Sequence, residues 1–521
     1  MRSLPVLLVA AGAALASAKD KPVNRDDLRS SVKIKDLLAD AQILEDFAYD
    51  TPERNRVFGS PGHNATVNWL FDELTSLDDY YDVTLQPFTA LFSAGNASFV
   101  VNSVEQNATL FSYTPSGSAL NTSIIAVSKL GCNSSDYPSA VRGKIALISR
   151  GSCPFGLKSV LAGSAGAAGA VIYNNVPGPL AGTLGTPSNA AGPYAPTVGV
   201  TLEVGQALLR LLNSSSAPTG SLVVNSILEN RTTYNVLAQS KSGNQNSVLS
   251  LGAHTDSVNQ GPGINDDGSG VIGLLAVARA LADFPPLPDT YNSIRFGFWS
   301  AEEFGLLGSN HYVANLSPGE LAKIKIYLNF DMIASPNYVY ALYDGDGSSF
   351  NLTGPPGSAQ IEALFQEYFS SNGLRTVATA FDGRSDYQAF ISAGVPSGGI
   401  FTGAEALKTT AEAALFGGTA GQPYDANYHR AGDNVTNLNA EPFRVNVEGI
   451  AWAVGTYLES FKGIPVRNVT TGAKGVRRWE AERWQRVAAG ESGFGSASVL
   501  HARGDGHGHG EGGCAKFKVE R

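Results

Sequence analysis

Between Thr232 and Lys462 the chain alternates two kinds of segment, short β-branched and aromatic runs and stretches whose apolar residues recur every three or four positions. "SVLSLGAH", "NSIRFGFWSAEE" and "IKIYLNFDMI" read as strands. "SGVIGLLAVARALADF" and "LLGSNHYVANL" read as the helices between them, and "PFRVNVEGIAWAVGTYLESF" as the helix that closes the unit. Strands separated by helices pair side by side through right-handed crossovers, so this half of the chain is expected to be α/β, a mostly parallel central sheet flanked by helices. In such sheets ligands collect beyond the carboxyl ends of the strands.

Those strand ends carry the charge. His254, Asp256 and Asp266 follow the first run, Glu302 and Glu303 the second, and Asp331 the third. Five carboxylates converging on one partly dry crevice would repel one another severely, and divalent cations are the natural remedy. Imidazole and carboxylate without thiolate suit Zn(II), and a set this rich points to two ions. A second imidazole is then needed. Of the seven histidines, His63 and His311 have no acidic neighbours in sequence and read as packing or surface groups. His501, His507 and His509 lie in a glycine-rich tail; His429, in "DANYHRAGDN", is the best placed. Taken alone, "NDDGSG" reads as a turn capping a helix and "EE" as a solvated helix start. Their combination with Asp331 and His429 overturns that reading.

The rest of the chain divides by composition. Arg2 followed by "LPVLLVAAGAALASA" reads as a secretory signal peptide (residues 1–18) cut after Ala18, too short and too small-residue-ended for a membrane anchor. Residues 19–89 are expected to be an N-terminal segment of that α/β unit, mainly helical over 31–78, with room for a short propeptide at its start. Residues 90–225 are rich in Ser, Thr and Asn and carry no clustered His, Asp or Glu; within them a helix is expected over Gly156–Ala168. The α/β unit is placed at 226–462 and a mobile tail at 463–521.

Eleven N-x-S/T sites fit a glycosylated, secreted, extracellular protein: Asn64, Asn96, Asn107, Asn121, Asn133, Asn213, Asn230, Asn315, Asn351, Asn434 and Asn468. Of three cysteines, Cys132 and Cys153 share a neighbourhood and are expected to pair in an oxidising compartment, two buried thiols being the alternative. The net charge of −9 supplies no basic stripe, so no nucleic-acid partner is expected, and no membrane partner either.

The runs "HTDSVNQGPGINDDGSG", "FWSAEEFGLLGS", "LNFDMIASPN", "GRSDYQAF" and "YHRAGDN" together resemble the co-catalytic zinc aminopeptidases related to aminopeptidase Y, among them the fungal secreted leucine aminopeptidases. The inserted block resembles a protease-associated (PA) domain. The resemblance implies two Zn(II) per chain, with Asp266 bridging, His254 and Asp331 completing one site, and Glu303 and His429 the other. It implies that Asp256 holds the other nitrogen of His254, that Glu302 is the general base, and that Tyr428 polarises the substrate carbonyl. Arg384, Asp386 and Tyr387 would bind substrate, and the Asp266–Asp267 peptide would be cis. The implied activity is removal of N-terminal residues, leucine and other apolar ones foremost, from peptides with a free N-terminus, by a monomer. A carboxypeptidase or glutaminyl cyclase on the same scaffold, or a receptor-like relative without catalysis, are the alternatives.

Overall fold

The computed structural model describes residues 21–180, 182–214, 218–350 and 352–467; the signal peptide, most of the expected tail, Asn351, Asn468, Cys514 and the three tail histidines lie outside them. The alternation after Thr232 is realised as expected. Ile324–Phe330, Asn244–His254 and Asn292–Trp299 lie side by side and parallel, with Ser397–Phe401 parallel on the outer side of Ile324–Phe330. Ala341–Tyr343 pairs antiparallel with Ser397–Phe401 and parallel with Val377–Thr379, and Thr219–Ser240 pairs antiparallel with Asn292–Trp299. The sheet is therefore mostly parallel, with antiparallel joints toward its margins.

Helices cover it because their apolar stripes have nowhere else to go. Ser269–Ala282 is buried along nearly its whole length. Ala440–Glu459 is capped at its start by Asn439, whose side chain accepts from the Glu441 amide. The expected helical stretch over 31–78 is two helices, Ile34–Tyr49 and Pro61–Thr75. The second starts where Ser60 caps it and Pro61 supplies a preset φ. Leu37, Ala41, Leu44, Leu70 and Leu74 from this pair join Leu249, Leu251, Val271, Phe296, Val447 and Ile450 in one core.

Tyr81–Val101 and Thr219–Ser240 form a single antiparallel ribbon, in register from Tyr81 opposite Ser240 to Val101 opposite Gly220. One end of the ribbon belongs to the sheet above. The other end leads to a second layer in which Gly117–Ala126, Ile145–Ser149, Gly169–Tyr173 and Thr197–Val200 run parallel. Two apolar clusters here draw only on residues 97–224. The small-residue helix spans Phe155–Ser164, shorter than expected; it ends ahead of Gly166, which takes φ 81°. Cys132 and Cys153 form a disulfide with Cα atoms 5.9 Å apart. Every described sequon asparagine is exposed except Asn434, which is half-buried and accepts from the Thr436 amide. Among the described residues no helix is long and apolar enough to cross a membrane.

Candidate metal centre

Three adjacent parallel strands deliver the acids and the histidine. His254 is the last residue of its strand and stands opposite Trp299, the last of the next. The chain leaves Trp299 through Ser300 and Ala301 to Glu302 and Glu303, and leaves Phe330 directly into Asp331. Ala301, Met332 and His429 all take positive φ, at 59°, 53° and 55°, an uncommon conformation that here turns the chain sharply beside the acids.

Asp266 lies in the turn between the first strand and its helix, and its peptide bond to Asp267 is cis. Its two oxygens face opposite ways. Oδ1 is 3.2 Å from His254 Nε2, and Oδ2 is 3.1 Å from His429 Nε2. Asp331 Oδ1 stands 3.8 Å from His254 Nε2, and Glu303 Oε2 3.0 Å from His429 Nε2. The donors thus fall into two triads sharing Asp266: His254, Asp266 and Asp331; and Asp266, Glu303 and His429. Atoms bound tetrahedrally to one zinc at its usual 2.0–2.1 Å would lie about 3.3 Å apart, so both triads fit such an ion. The electrostatics agree. Among the described residues none of these carboxylates pairs with a lysine or arginine, and the buried Glu303 Oε1 has no hydrogen-bond partner. Burial and the neighbouring Asp266 push Glu303 up to about 7. Burial opposes charge on His429, yet Glu303 and Asp266 outweigh it and lift the imidazole to about 10.

The cleft over these groups is lined by Glu302, Met332, Tyr343, Thr379, Ala380, Asp382, Arg384, Ser385, Tyr387, Phe401, Ala404 and Tyr428 as well as by Asp266, Glu303, Asp331 and His429. Arg384 grips Glu405 with two contacts, at 2.9 and 3.2 Å, and donates to the Tyr428 hydroxyl at 3.0 Å. The Tyr428 ring stacks on that of His429 at 3.9 Å.

A model of peptidase family M28 matches residues 235–454, and a PA-domain model matches residues 120–208. The chain is 53% identical over 449 residues to a probable leucine aminopeptidase 2 of Aspergillus oryzae, covering 86% of this chain and 89% of that one. The chain belongs to peptidase family M28. An aminopeptidase of Aneurinibacillus sp. strain AM-1 superposes with a TM-score of 0.65 at 25% identity, over 86% of this chain and 98% of that one. A zinc aminopeptidase of Bacillus subtilis shares the fold at a TM-score of 0.59 and 24% identity, over 83% of this chain and 97% of that one.

Not every expected contact of this M28 peptidase takes the expected form. His254 Nδ1 lies 3.2 Å from the backbone oxygen of Asp256 and 3.7 Å from its carboxylate, whose Oδ1 is engaged by the Glu302 amide at 3.0 Å. Asp386 is buried and does not line the cleft, unlike Arg384 and Tyr387. His63 is wholly buried, 2.9 Å from the Thr255 hydroxyl, and burial lowers its pKa to about 4; His311 stacks on Phe88. Neither touches the metal triads.

Several residues that hold the centre are assigned no supporting role from the sequence. Asp267 accepts from the amides of His254, Gly270 and Met332, tying all three segments to one carboxylate. Gly270 has to be glycine, since a Cβ there would sit 2.0 Å from the Phe330 oxygen and 2.5 Å from Asp267 Oδ1. Asp433 accepts from the amides of Asn265 and Asp266. Ser385 donates to Asp331 at 2.6 Å. Arg56, fully buried, donates to the carbonyls of Thr255, Pro262 and Gly263 and so fastens the loop between His254 and Asp266.

Proposed function

We propose that the chain is a secreted, glycosylated di-zinc aminopeptidase that removes N-terminal leucine and other apolar residues from peptides. The observation that carries the reading is the split of Asp266 between His254 and His429. One ion would be held by His254, Asp266 and Asp331 and the other by Asp266, Glu303 and His429. Zinc bound there supplies Lewis acidity, which polarises the scissile carbonyl and lowers the pKa of the attacking water.

The chain's own groups do the rest. Glu302, on the cleft wall with Oε2 3.9 Å from His254 Nε2, takes the proton of the attacking water and returns it to the leaving amine. Because Arg384 donates to the Tyr428 oxygen, the phenol proton is left for the substrate carbonyl oxygen, a preset donor for developing negative charge. Carboxylates of the centre receive the free α-amine, which limits cleavage to the first peptide bond. Met332, Tyr343, Ala380, Phe401 and Ala404 give the cleft an apolar wall that suits an aliphatic first side chain. Residues 90–225 form the PA insert, which contributes no ligand and shapes access to the cleft.

Elemental analysis and a substrate panel test this reading together. The purified enzyme should hold about two zincs per chain. It should cleave leucyl peptides but not their N-acetylated forms, and lose activity to a chelator until Zn(II) is returned. Full activity in metal-free protein, or equal cleavage of the N-blocked peptides, would overturn it.

A further inference from the structure

A second cluster of oxygens lies outside the cleft. The strand Ala341–Tyr343 runs into Asp344, the chain turns through "DGDGSSF", and the helix Ser358–Ser371 returns Glu362 beside that turn. Asp344, Asp346 and Glu362 each offer an oxygen within 4.8 Å of the others. None of the three lines the cleft.

Two of these carboxylates are partly satisfied by backbone amides. Asp344 Oδ2 accepts from Ser349 and Phe350, at 2.9 and 2.8 Å, and Glu362 Oε2 from Gly345 and Asp346, at 2.9 and 3.3 Å. An amide-bonded loop alone would make no site. Asp344, however, is 0% exposed and its Oδ1 has no hydrogen-bond partner, a buried anionic oxygen left bare next to two more carboxylates. Among the described residues no lysine or arginine pairs with Asp344 or Glu362. A buried polar atom without a partner is costly, and a charged one more so.

We propose that Asp344, Asp346 and Glu362 bind a structural divalent cation of the calcium class, separate from the catalytic centre. The donors are all oxygen, which selects a hard cation over zinc. Oxygens bound to one calcium at about 2.4 Å can be at most about 4.8 Å apart, and the three oxygens here all lie within 4.8 Å of one another. The i, i+2 spacing of Asp344 and Asp346 is that of the first two ligands of calcium loops, and calcium tolerates an irregular shell completed by water better than magnesium does. Asp346 is exposed and gives the ion its route in.

The site has a consequence for the cleft. The Asp344 amide donates to the Thr379 carbonyl at 2.8 Å, and Thr379 and Tyr343 both line the cleft. The Tyr343 ring stacks on Phe381 at 5.1 Å and meets Tyr387 at 4.7 Å. An ion at Asp344 therefore braces the wall on which the substrate side chain rests.

Zinc-loaded enzyme, freed of calcium on a chelating resin, is titrated with calcium chloride while its Tm is followed, and with terbium chloride while tyrosine-sensitised emission is followed. Calcium should raise the Tm by several degrees and saturate, and should displace terbium. Asp346→Asn, which keeps the acceptor used by the Ser348 amide, should fold, retain turnover of a leucyl substrate at 25 °C, and lose both responses. Glu362→Gln should lose them as well. No calcium-dependent shift in the unmodified enzyme, or an undiminished shift in Asp346→Asn, overturns the site.

Discussion

Glu302 and Glu303 are adjacent and chemically identical, yet they stand against different histidines. Glu303 Oε2 lies 3.0 Å from His429 Nε2, inside one triad, whereas Glu302 Oε2 lies 3.9 Å from His254 Nε2 and belongs to neither. The Glu302 amide is held by Asp256, which fixes where its side chain starts. Glutamine at either position keeps the shape and removes the charge. Glu303→Gln should therefore lose zinc, measured by elemental analysis. Glu302→Gln should keep both zincs and the affinity for a substrate-like inhibitor, while turnover falls by about 10²–10⁴-fold, the cost of losing a general base. The opposite pattern would exchange the two roles.

At the scale of elements, the strand ends were readable because an apolar run followed abruptly by acids is a local pattern, and the alternation of strand and helix fixed the sheet type. The supports of the centre were not readable. Arg56 finds its carbonyl partners some two hundred positions away, and in "PERNRVF" it looks like any surface arginine. Asp267 and Asp433 act by gathering backbone amides from distant segments, which leaves no spacing to detect. The expected boundaries at 90 and 225 fall inside the continuous ribbon, because composition changes where the chain becomes exposed rather than where a strand ends. The disulfide sits wholly on the far side of that ribbon and closes a 21-residue separation. Cys132→Ser with Cys153→Ser should lower stability by about 3 kcal/mol, by the loop-closure argument. Zinc content and turnover at 25 °C should stay unchanged, since among the described residues neither triad draws on residues 90–225. Denaturant titration alongside metal analysis measures both, and loss of zinc would place part of the centre in the wrong lobe.

For the whole molecule, the centre is a concentration of negative charge in the same layer as the main core. Asp266, Glu302 and Asp331 are all less than a tenth exposed. Burial on this scale costs stability unless cations offset it, so metal and fold should be linked. The sign of the pH dependence follows from the protein without its ions. Glu303 has its pKa raised from 4.5 to about 7, so the folded state holds a proton that the unfolded state releases, and stability is lost as pH rises from 4.5 through 7. His429, raised from 6.5 to about 10 although burial opposes it, contributes stability present below 6.5 and lost as pH rises through 10. Both act in the same direction. The zinc-free protein should therefore weaken steadily as pH rises from 5 to 9, by roughly 3 kcal/mol for a single buried group moved this far. Zinc requires these ligands deprotonated, so the loaded enzyme should show the reverse trend, gaining stability as pH rises from 5 to 7. Denaturant midpoints for both forms across that range measure the difference between the two curves. Parallel curves would mean that the triads are not where the ions bind.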